Sequence, residues 1–172
     1  MDAIKKGRLS ARVAVMVCDN PKAFALKRAR KHEIPVFLFA PKRFKSREDY
    51  ERILVSILKS EKVDLVVLAG FMRILTPYFI RTYKSRILNI HPSLLPNFKG
   101  AHAIRDAFQA GVSVTGVTVH LVTDKLDSGR IILQKKVRVS KKDSLKSLEE
   151  KIHRVEHQIY PPAVSRRIRQ LT

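Results

Sequence analysis

The stretch Ile87-Leu88-Asn89-Ile90-His91-Pro92-Ser93-Leu94-Leu95-Pro96 decides how the rest of the chain is read. The run from Arg86 to Ile90 is short, mostly apolar and stopped by a proline, which is the pattern of a buried strand. In an extended chain residues i and i+2 point to the same face, so Asn89 and His91 project together beyond the strand's end. An amide N–H donates to a developing oxyanion, and an imidazole protonates or polarises the same atom. The two prolines stiffen the turn that follows. Asn-x-His alone is also what a strand-end asparagine closing a turn beside a half-buried histidine looks like, so the neighbouring segments must decide.

Upstream, Ala11 to Cys18, Ile34 to Phe39 and Leu65 to Gly70 have the apolar make-up of buried strands. Lys22 to Lys31 carries helical spacing through Ala23, Ala25, Leu26 and Ala29. Ser46-Arg47-Glu48-Asp49 opens a further helix with acids in its first turn and an apolar stripe at Tyr50, Ile53, Leu54, Ile57 and Leu58. Strand and helix alternating in this rhythm predict an α/β fold: an open, mostly parallel, Rossmann-like sheet with helices on both faces. In such sheets ligands sit beyond the carboxyl ends of the strands. Gly70-Phe71-Met72-Arg73-Ile74-Leu75 and Asn89-Ile90-His91 leave two strands at that edge, so both should meet one cleft.

Downstream, Pro77 to Tyr83 and Ala101 to Ala110 are short helices, the second with His102 at its start. Thr115 to Val122 is a strand with Thr118 and His120 on one face. Asp124-Lys125-Leu126-Asp127-Ser128-Gly129 is a turn, and Ile131 to Val139 returns to complete a C-terminal hairpin pair. If that turn brings Asp127 to His91, its carboxylate favours the imidazolium form. Ser144 to Tyr160 is an amphipathic helix through Leu145, Leu148, Ile152, Val155 and Ile159, with His153 and Glu156 on one face. Pro161-Pro162 should interrupt it before a basic tail.

At 172 residues the chain is expected to be one domain, and 45% apolar content makes it globular. No apolar run approaches a membrane span and the first residues do not form a signal peptide, so no membrane association is expected. Cys18 is the only cysteine, which rules out an intrachain disulfide and fits a reducing, cytoplasmic setting. The net charge of +20 is the most unusual bulk property. It is spread over Lys27-Arg28-Ala29-Arg30-Lys31, Lys42-Arg43-Phe44-Lys45, Lys135-Lys136, Lys141-Lys142 and Arg166-Arg167-Ile168-Arg169, with no aromatic stacking motif or zinc pattern among them. It supports anionic small molecules as ligands and is weak evidence for nucleic acid.

Taken together, Asn89 to Pro96, Gly100, Gly116-Val117-Thr118-Val119-His120 and Thr123 to Gly129 closely resemble the glycinamide ribonucleotide formyltransferases of purine synthesis, a group of folate-dependent formyltransferases. The resemblance spans about Asp2 to Pro161. It implies transfer of a formyl group from 10-formyltetrahydrofolate, as co-substrate, to the amine of glycinamide ribonucleotide, with no metal. Asn89, His91 and Asp127 would be catalytic, and Met72, Arg73, Ile74 and Leu75 would lie against the folate's pterin. Pro92 and Glu156 would meet the ribonucleotide, and His120, Thr118 and His102 would support the site. A monomer or homodimer is expected.

Three rivals stay open at this point. One is hydrolysis of formyltetrahydrofolate, one is formylation of methionyl-tRNA, and one is an inactive, shortened form. The last arises because the family opens with a strand and a Gly-rich phosphate loop that have no counterpart here. Met1 to Gly7 resembles the end of the helix after that loop. The chain is therefore expected to be a single formyltransferase domain shortened at its start, with a strand missing between those at Ala11–Cys18 and Leu65–Leu68.

Overall fold

The structure is a computed structural model that describes residues 1–171. The chain divides into two compact units, one of Met1–Asp64 with Thr76–Thr82, the other of Leu65–Leu75 with the residues from Tyr83 onward.

The first unit holds α1 (Asp2–Lys5), β1 (Met16–Cys18), α2 (Phe24–Lys31), β2 (Val36–Leu38), α3 (Arg47–Ser60) and α4 (Pro77–Thr82). β1 and β2 pair in parallel, Met16 against Val36 through Cys18 against Leu38. The strand expected over Ala11–Cys18 is therefore only three residues long, because β2 is its one partner and offers three positions. α3 starts as predicted, with the Ser46 hydroxyl accepting from the Asp49 N–H at 3.1 Å. Its buried stripe differs from the expected one: Tyr50, Glu51, Leu54, Val55 and Leu58 face inward while Ile53 is exposed. The reason is Glu51, which caps α4 by accepting from the Thr76 N–H at 3.1 and 3.2 Å and from the Thr76 hydroxyl. Burial pushes the Glu51 carboxyl above its ordinary range, against the pull of those donors.

The second unit holds β3 (Val66–Leu68), β4 (Ile87–His91), α5 (Ala103–Gln109), β5 (Val114–Leu121), β6 (Ile131–Arg138) and α6 (Leu145–Ile168). Its sheet runs β3-β4-β5-β6, with β3–β4 parallel and β4–β5–β6 antiparallel, so the expected C-terminal hairpin is present. α6 lies against β4, β5 and β6, burying Leu148, Ile152, Ile159, Ala163 and Val164. Among the described residues β3 pairs only with β4, and β1 only with β2. The expected α/β fold is thus present, its strands pairing as two ladders, one in each unit.

α6 corrects a second expectation, since it continues through Pro161-Pro162 to Ile168. The prolines remove two N–H groups from the ladder, but His157 and Gln158, whose carbonyls lose those partners, stand on the exposed side, open to solvent. Buried Ala163 and Val164, and Arg167 donating to the Ser85 carbonyl at 3.0 Å, hold the last turns against the sheet.

The other end of α6 is a charged knot. Ser144 and Ser147 form a reciprocal capping box. Asp143 accepts from Lys151 Nζ at 2.6 Å, the Ser140 N–H at 2.7 Å and Ser147 Oγ at 2.9 Å. The Lys151 hydrogen bond first, and the Ser140 N–H second, hold the Asp143 carboxyl down to about 2 from an ordinary 3.8. A depressed carboxyl stabilises the fold above its unfolded pKa, and that stabilisation fades as pH falls through the folded one. We expect thermal unfolding scans between pH 5 and pH 2 to show this loss in the wild type and a shallower fall in Asp143→Asn. Equal slopes would mean that Asp143 does not carry the linkage.

Candidate active site

β4 supplies Asn89 and His91 from its last turn of alternation, and β5 runs antiparallel beside it. The register sets Asn89 against His120 and His91 against Thr118, so four polar side chains share one face of two adjacent strands. The intervening Leu88, Ile90, Val119 and Leu121 fill the opposite face and are buried. His91, His120 and Thr118 are themselves almost fully buried. Buried polar groups need partners, and the partners fix what each residue can do.

Thr118 is a structural hub. Its hydroxyl donates to the Ser93 carbonyl at 2.6 Å and accepts from the Leu95 N–H at 3.1 Å and Gln134 Nε2 at 2.8 Å. Gln134 Nε2 also reaches the Leu95 carbonyl at 3.0 Å, and Ser93 Oγ donates to the Asn97 carbonyl at 2.5 Å. These bonds shape the segment after Pro92 so that it folds back over the strand end. The Phe98 carbonyl then accepts from His91 Nε2 at 2.8 Å, and the Gly100 N–H donates to Asp127 Oδ2 at 2.9 Å. Lys99 Nζ ties the same segment to Ser128 Oγ at 2.7 Å.

Asp127 sits in the β5–β6 connection with a left-handed φ of 46°, a conformation that aspartate tolerates better than most residues. Its carboxylate is largely buried. Oδ2 lies 3.5 Å from His91 Nδ1 and Oδ1 lies 3.6 Å from His120 Nε2. Both nitrogens of His91 therefore face acceptors, the arrangement an imidazolium satisfies.

His120 is placed differently. Its Nδ1 donates to the Leu121 carbonyl at 2.9 Å, and its Nε2 is 3.4 Å from Asn89 Nδ2. Burial, foremost, lowers the His120 pKa and the His91 charge adds to this, against the Leu121 carbonyl and Asp127, which raise it. A neutral ring with its proton on Nδ1 leaves a lone pair on Nε2 that accepts one Asn89 N–H. The amide is thereby oriented, and its second N–H stays available to an acceptor in front of the strand end.

Asn89, His91, His120 and Asp127 thus form one constellation at the carboxyl edge of β4, with Thr118 beneath it. The other predicted residues stand outside this set. β3 is parallel to β4 with Leu68 against Asn89, so Met72, Arg73, Ile74 and Leu75 leave the sheet at the same edge. Met72 is 76% and Ile74 62% exposed, unusual for side chains this apolar, while Leu75 is buried and belongs to the core. Pro92 is half-buried directly after His91. Glu156 on α6 accepts from His153 Nδ1 at 2.7 Å and raises the pKa of Tyr160, after burial the second cause. The Tyr160 hydroxyl meets the Leu68 and Leu88 carbonyls, which ties this part of α6 to β3 and β4. His102 is exposed at the start of α5 and makes no side-chain capping bond. Sequence reasoning missed the Phe98 carbonyl, the Gly100 N–H and Gln134. The only signal for any of them was Gly100, whose φ of 93° suits glycine. Among the described residues no group of three His, Cys, Asp or Glu side chains could hold a metal ion.

Comparison with known proteins places this geometry in context. The sequence pattern of the Formyl transferase family matches residues 1–164. The chain is 40% identical over 161 residues to the phosphoribosylglycinamide formyltransferase of Bacillus subtilis, covering 94% of this chain and 83% of that protein. It is 42% identical over 165 residues to the enzyme of the same name from Escherichia coli, covering 96% and 78%. The crystal structure of phosphoribosylglycinamide formyltransferase from Bacillus halodurans superposes with a TM-score of 0.93 at 45% identity, covering 95% of this chain and 84% of that one.

Proposed function

Because the chain belongs to the formyl transferase family, we propose that it moves the formyl group of 10-formyltetrahydrofolate to the amine of glycinamide ribonucleotide, a step of purine biosynthesis. The observation that carries this reading is the convergence of Asn89, His91 and Asp127 at one strand edge in a chain so similar to enzymes of that name.

The reaction is an acyl transfer, and the chain's residues divide the work. The amine nitrogen attacks the formyl carbon, and a tetrahedral intermediate forms with its charge on the former carbonyl oxygen. Asn89 donates its free amide N–H to that oxygen. His91 donates as well. Its Nε2–H now rests on the neutral Phe98 carbonyl, a bond that a charged oxyanion outcompetes. Asp127 orients His91 and balances its positive charge. The carbon–nitrogen bond to the folate then breaks, and the proton released by the amine ends on the folate nitrogen. No protein nucleophile is required, since the amine itself attacks. Holding the two substrates in register supplies much of the remaining acceleration.

In this reading the exposed Met72 and Ile74, with Arg73 and the backbone through Leu75, receive the folate ring. Pro92 and Glu156 meet the ribonucleotide, His120 and Thr118 support the catalytic groups, and His102 lies near the substrate. Residues 1–172 act as one formyltransferase domain, as a monomer or homodimer, in the cytoplasm, where a lone cysteine stays reduced.

The test is to supply purified protein with 10-formyltetrahydrofolate and glycinamide ribonucleotide and follow formylated product by mass spectrometry. Product that depends on both substrates is expected. Formate release without the amine, or transfer to methionyl-tRNA in its place, would overturn the assignment.

A further inference from the structure

β4 has two ends with opposite chemistry. Asn89 and His91 close one, and Arg86 immediately precedes the other, five residues from His91 and so about 16 Å away along an extended strand. Around Arg86 the second unit gathers guanidinium groups. Arg167, buried near the end of α6, donates through Nε and Nη2 to the Ser85 carbonyl and through Nη1 to Gln170 Oε1 at 3.2 Å. Arg130, just before β6, donates through Nη2 to the same Gln170 oxygen at 3.1 Å. Arg166 donates through Nη1 to the Ile132 carbonyl at 2.9 Å. Arg130 and Arg166, with Ile131, Ile132 and Gln170, line an open cleft of about 220 Å³.

The cleft is positively charged and holds no acid. None of Arg86, Arg130, Arg166 or Arg167 is ion-paired with a carboxylate among the described residues. One neutral amide oxygen, that of Gln170, is shared between two like charges. The crowding is felt, since Arg167 has its pKa lowered by burial first and then by the charges of Arg130 and Arg86. A guanidinium has five N–H donors in a planar fork. Arg130 and Arg166 each spend one hydrogen bond on the protein, which leaves most of both forks for something else. Uncompensated like charges cost stability, and a structural role for either arginine would need only the one carbonyl or amide it already has. The cleft is also smaller than the roughly 300–1,000 Å³ of sites that enclose organic ligands, so it suits one compact anionic group.

We propose that Arg130 and Arg166, which line this cleft with Gln170, form a binding site for a phosphate-class oxyanion, separate from the constellation at Asn89 and His91. Phosphate matches the fork geometry, because two parallel N–H groups of one guanidinium reach two of its oxygens while the second arginine takes a third. The anion also relieves the repulsion between the arginines, so the site is poised by charges the fold already carries. Two sources present this chemistry, free phosphate or diphosphate in solution and the phosphodiester of a nucleic acid strand. The excess of lysine and arginine across the chain would assist either by drawing anions to its surface.

The experiment titrates the protein with sodium pyrophosphate at low ionic strength, following the Arg Nε–Hε signals by NMR and the affinity by calorimetry. The Arg130 and Arg166 signals should shift and saturate together. Replacing both (Arg130→Gln with Arg166→Gln) should weaken pyrophosphate binding by about tenfold or more, since charge-assisted bidentate contacts are lost. Lys141→Gln with Lys142→Gln removes the same charge from an exposed turn and should change affinity by less than about twofold, because screened distant charges contribute little. In a parallel arm a single-stranded RNA oligonucleotide is titrated. RNA binding tighter than pyrophosphate and lost with the arginine pair assigns the phosphate to nucleic acid, and equal or weaker RNA binding assigns it to the free anion. Unmoved Arg130 and Arg166 signals in the wild type overturn the proposal whether or not the variants fold well. Equal losses in the arginine and lysine variants overturn it too, because they would reduce the effect to net charge.

Discussion

Replacing Asp127 with asparagine should lower turnover by about 10²- to 10⁴-fold, the range over which a positioned acid–base group contributes, while the fold survives. The size of the expected effect follows from where the carboxylate sits. Its Oδ2 faces His91 Nδ1 at 3.5 Å and takes the Gly100 N–H at 2.9 Å, and its Oδ1 faces His120 at 3.6 Å. Asparagine keeps the shape and can still accept from Gly100. It removes the negative charge that faces His91 Nδ1, and it offers an N–H where that nitrogen now faces an acceptor. Asn89→Ala acts on the same intermediate from the other side. Losing its one available amide N–H should cost about 10²- to 10³-fold in turnover, as for a single oxyanion donor elsewhere. Steady-state rates with both substrates saturating, beside a thermal unfolding curve for each variant, decide the matter. Near-normal turnover in either variant, with an unchanged unfolding temperature, would remove that residue from the mechanism.

The second large effect is expected at a residue with no chemistry at all. A Cβ on Gly129 would stand 1.8 Å from the Leu121 carbonyl oxygen and 2.8 Å from its carbon, both backbone atoms that cannot swing aside. That carbonyl is the one His120 Nδ1 donates to, and Gly129 is two residues beyond Asp127. Gly129→Ala therefore pushes on the group that sets the tautomer of His120 and on the turn that carries Asp127. The strain should cost about 1–3 kcal/mol of stability, as overpacking does. A displacement of about 1 Å at Asp127 should cost on the order of 10²-fold in turnover. Ser128→Ala, which removes only the exposed hydroxyl's bonds from Lys99 and to the Leu126 carbonyl and adds no atom to the turn, is the matched control and should stay close to wild type in both measurements. If Gly129→Ala matched that control, the close approach to Leu121 would have no functional weight.

Some of this was legible before any coordinates. Period-two alternation is local, so Asn89 and His91 could be set on one face from their spacing, and Thr118 and His120 likewise. Their mutual pairing was not legible, because it depends on a register between strands more than twenty residues apart. Asp127 was identifiable as a turn residue, but its approach to His91 depends on left-handed backbone at Asp127, Phe98 and Gly100, which composition does not announce for phenylalanine. Where local rules misled, tertiary contacts had outweighed them. The helix from Leu145 passes two prolines because its far side is buried and Arg167 is anchored to Ser85. The apolar run at Ala11–Cys18 pairs over only three residues because its neighbour offers no more.

Among the described residues β4 is the only strand of its sheet with a parallel neighbour on one side and an antiparallel one on the other, while β3 has a partner on a single side. In hydrogen-exchange terms this makes a gradient of protection across the sheet. Outward-facing β3 amides exchange through small local openings, whereas those of Leu88 to Ile90 await the loss of both neighbours, an event that approaches global unfolding in free energy. Asn89 and His91 therefore ride on backbone that is held from both sides. Fluctuations that fray the strand beside them leave their spacing intact, and the two candidate catalytic groups lose their alignment only when the unit itself opens.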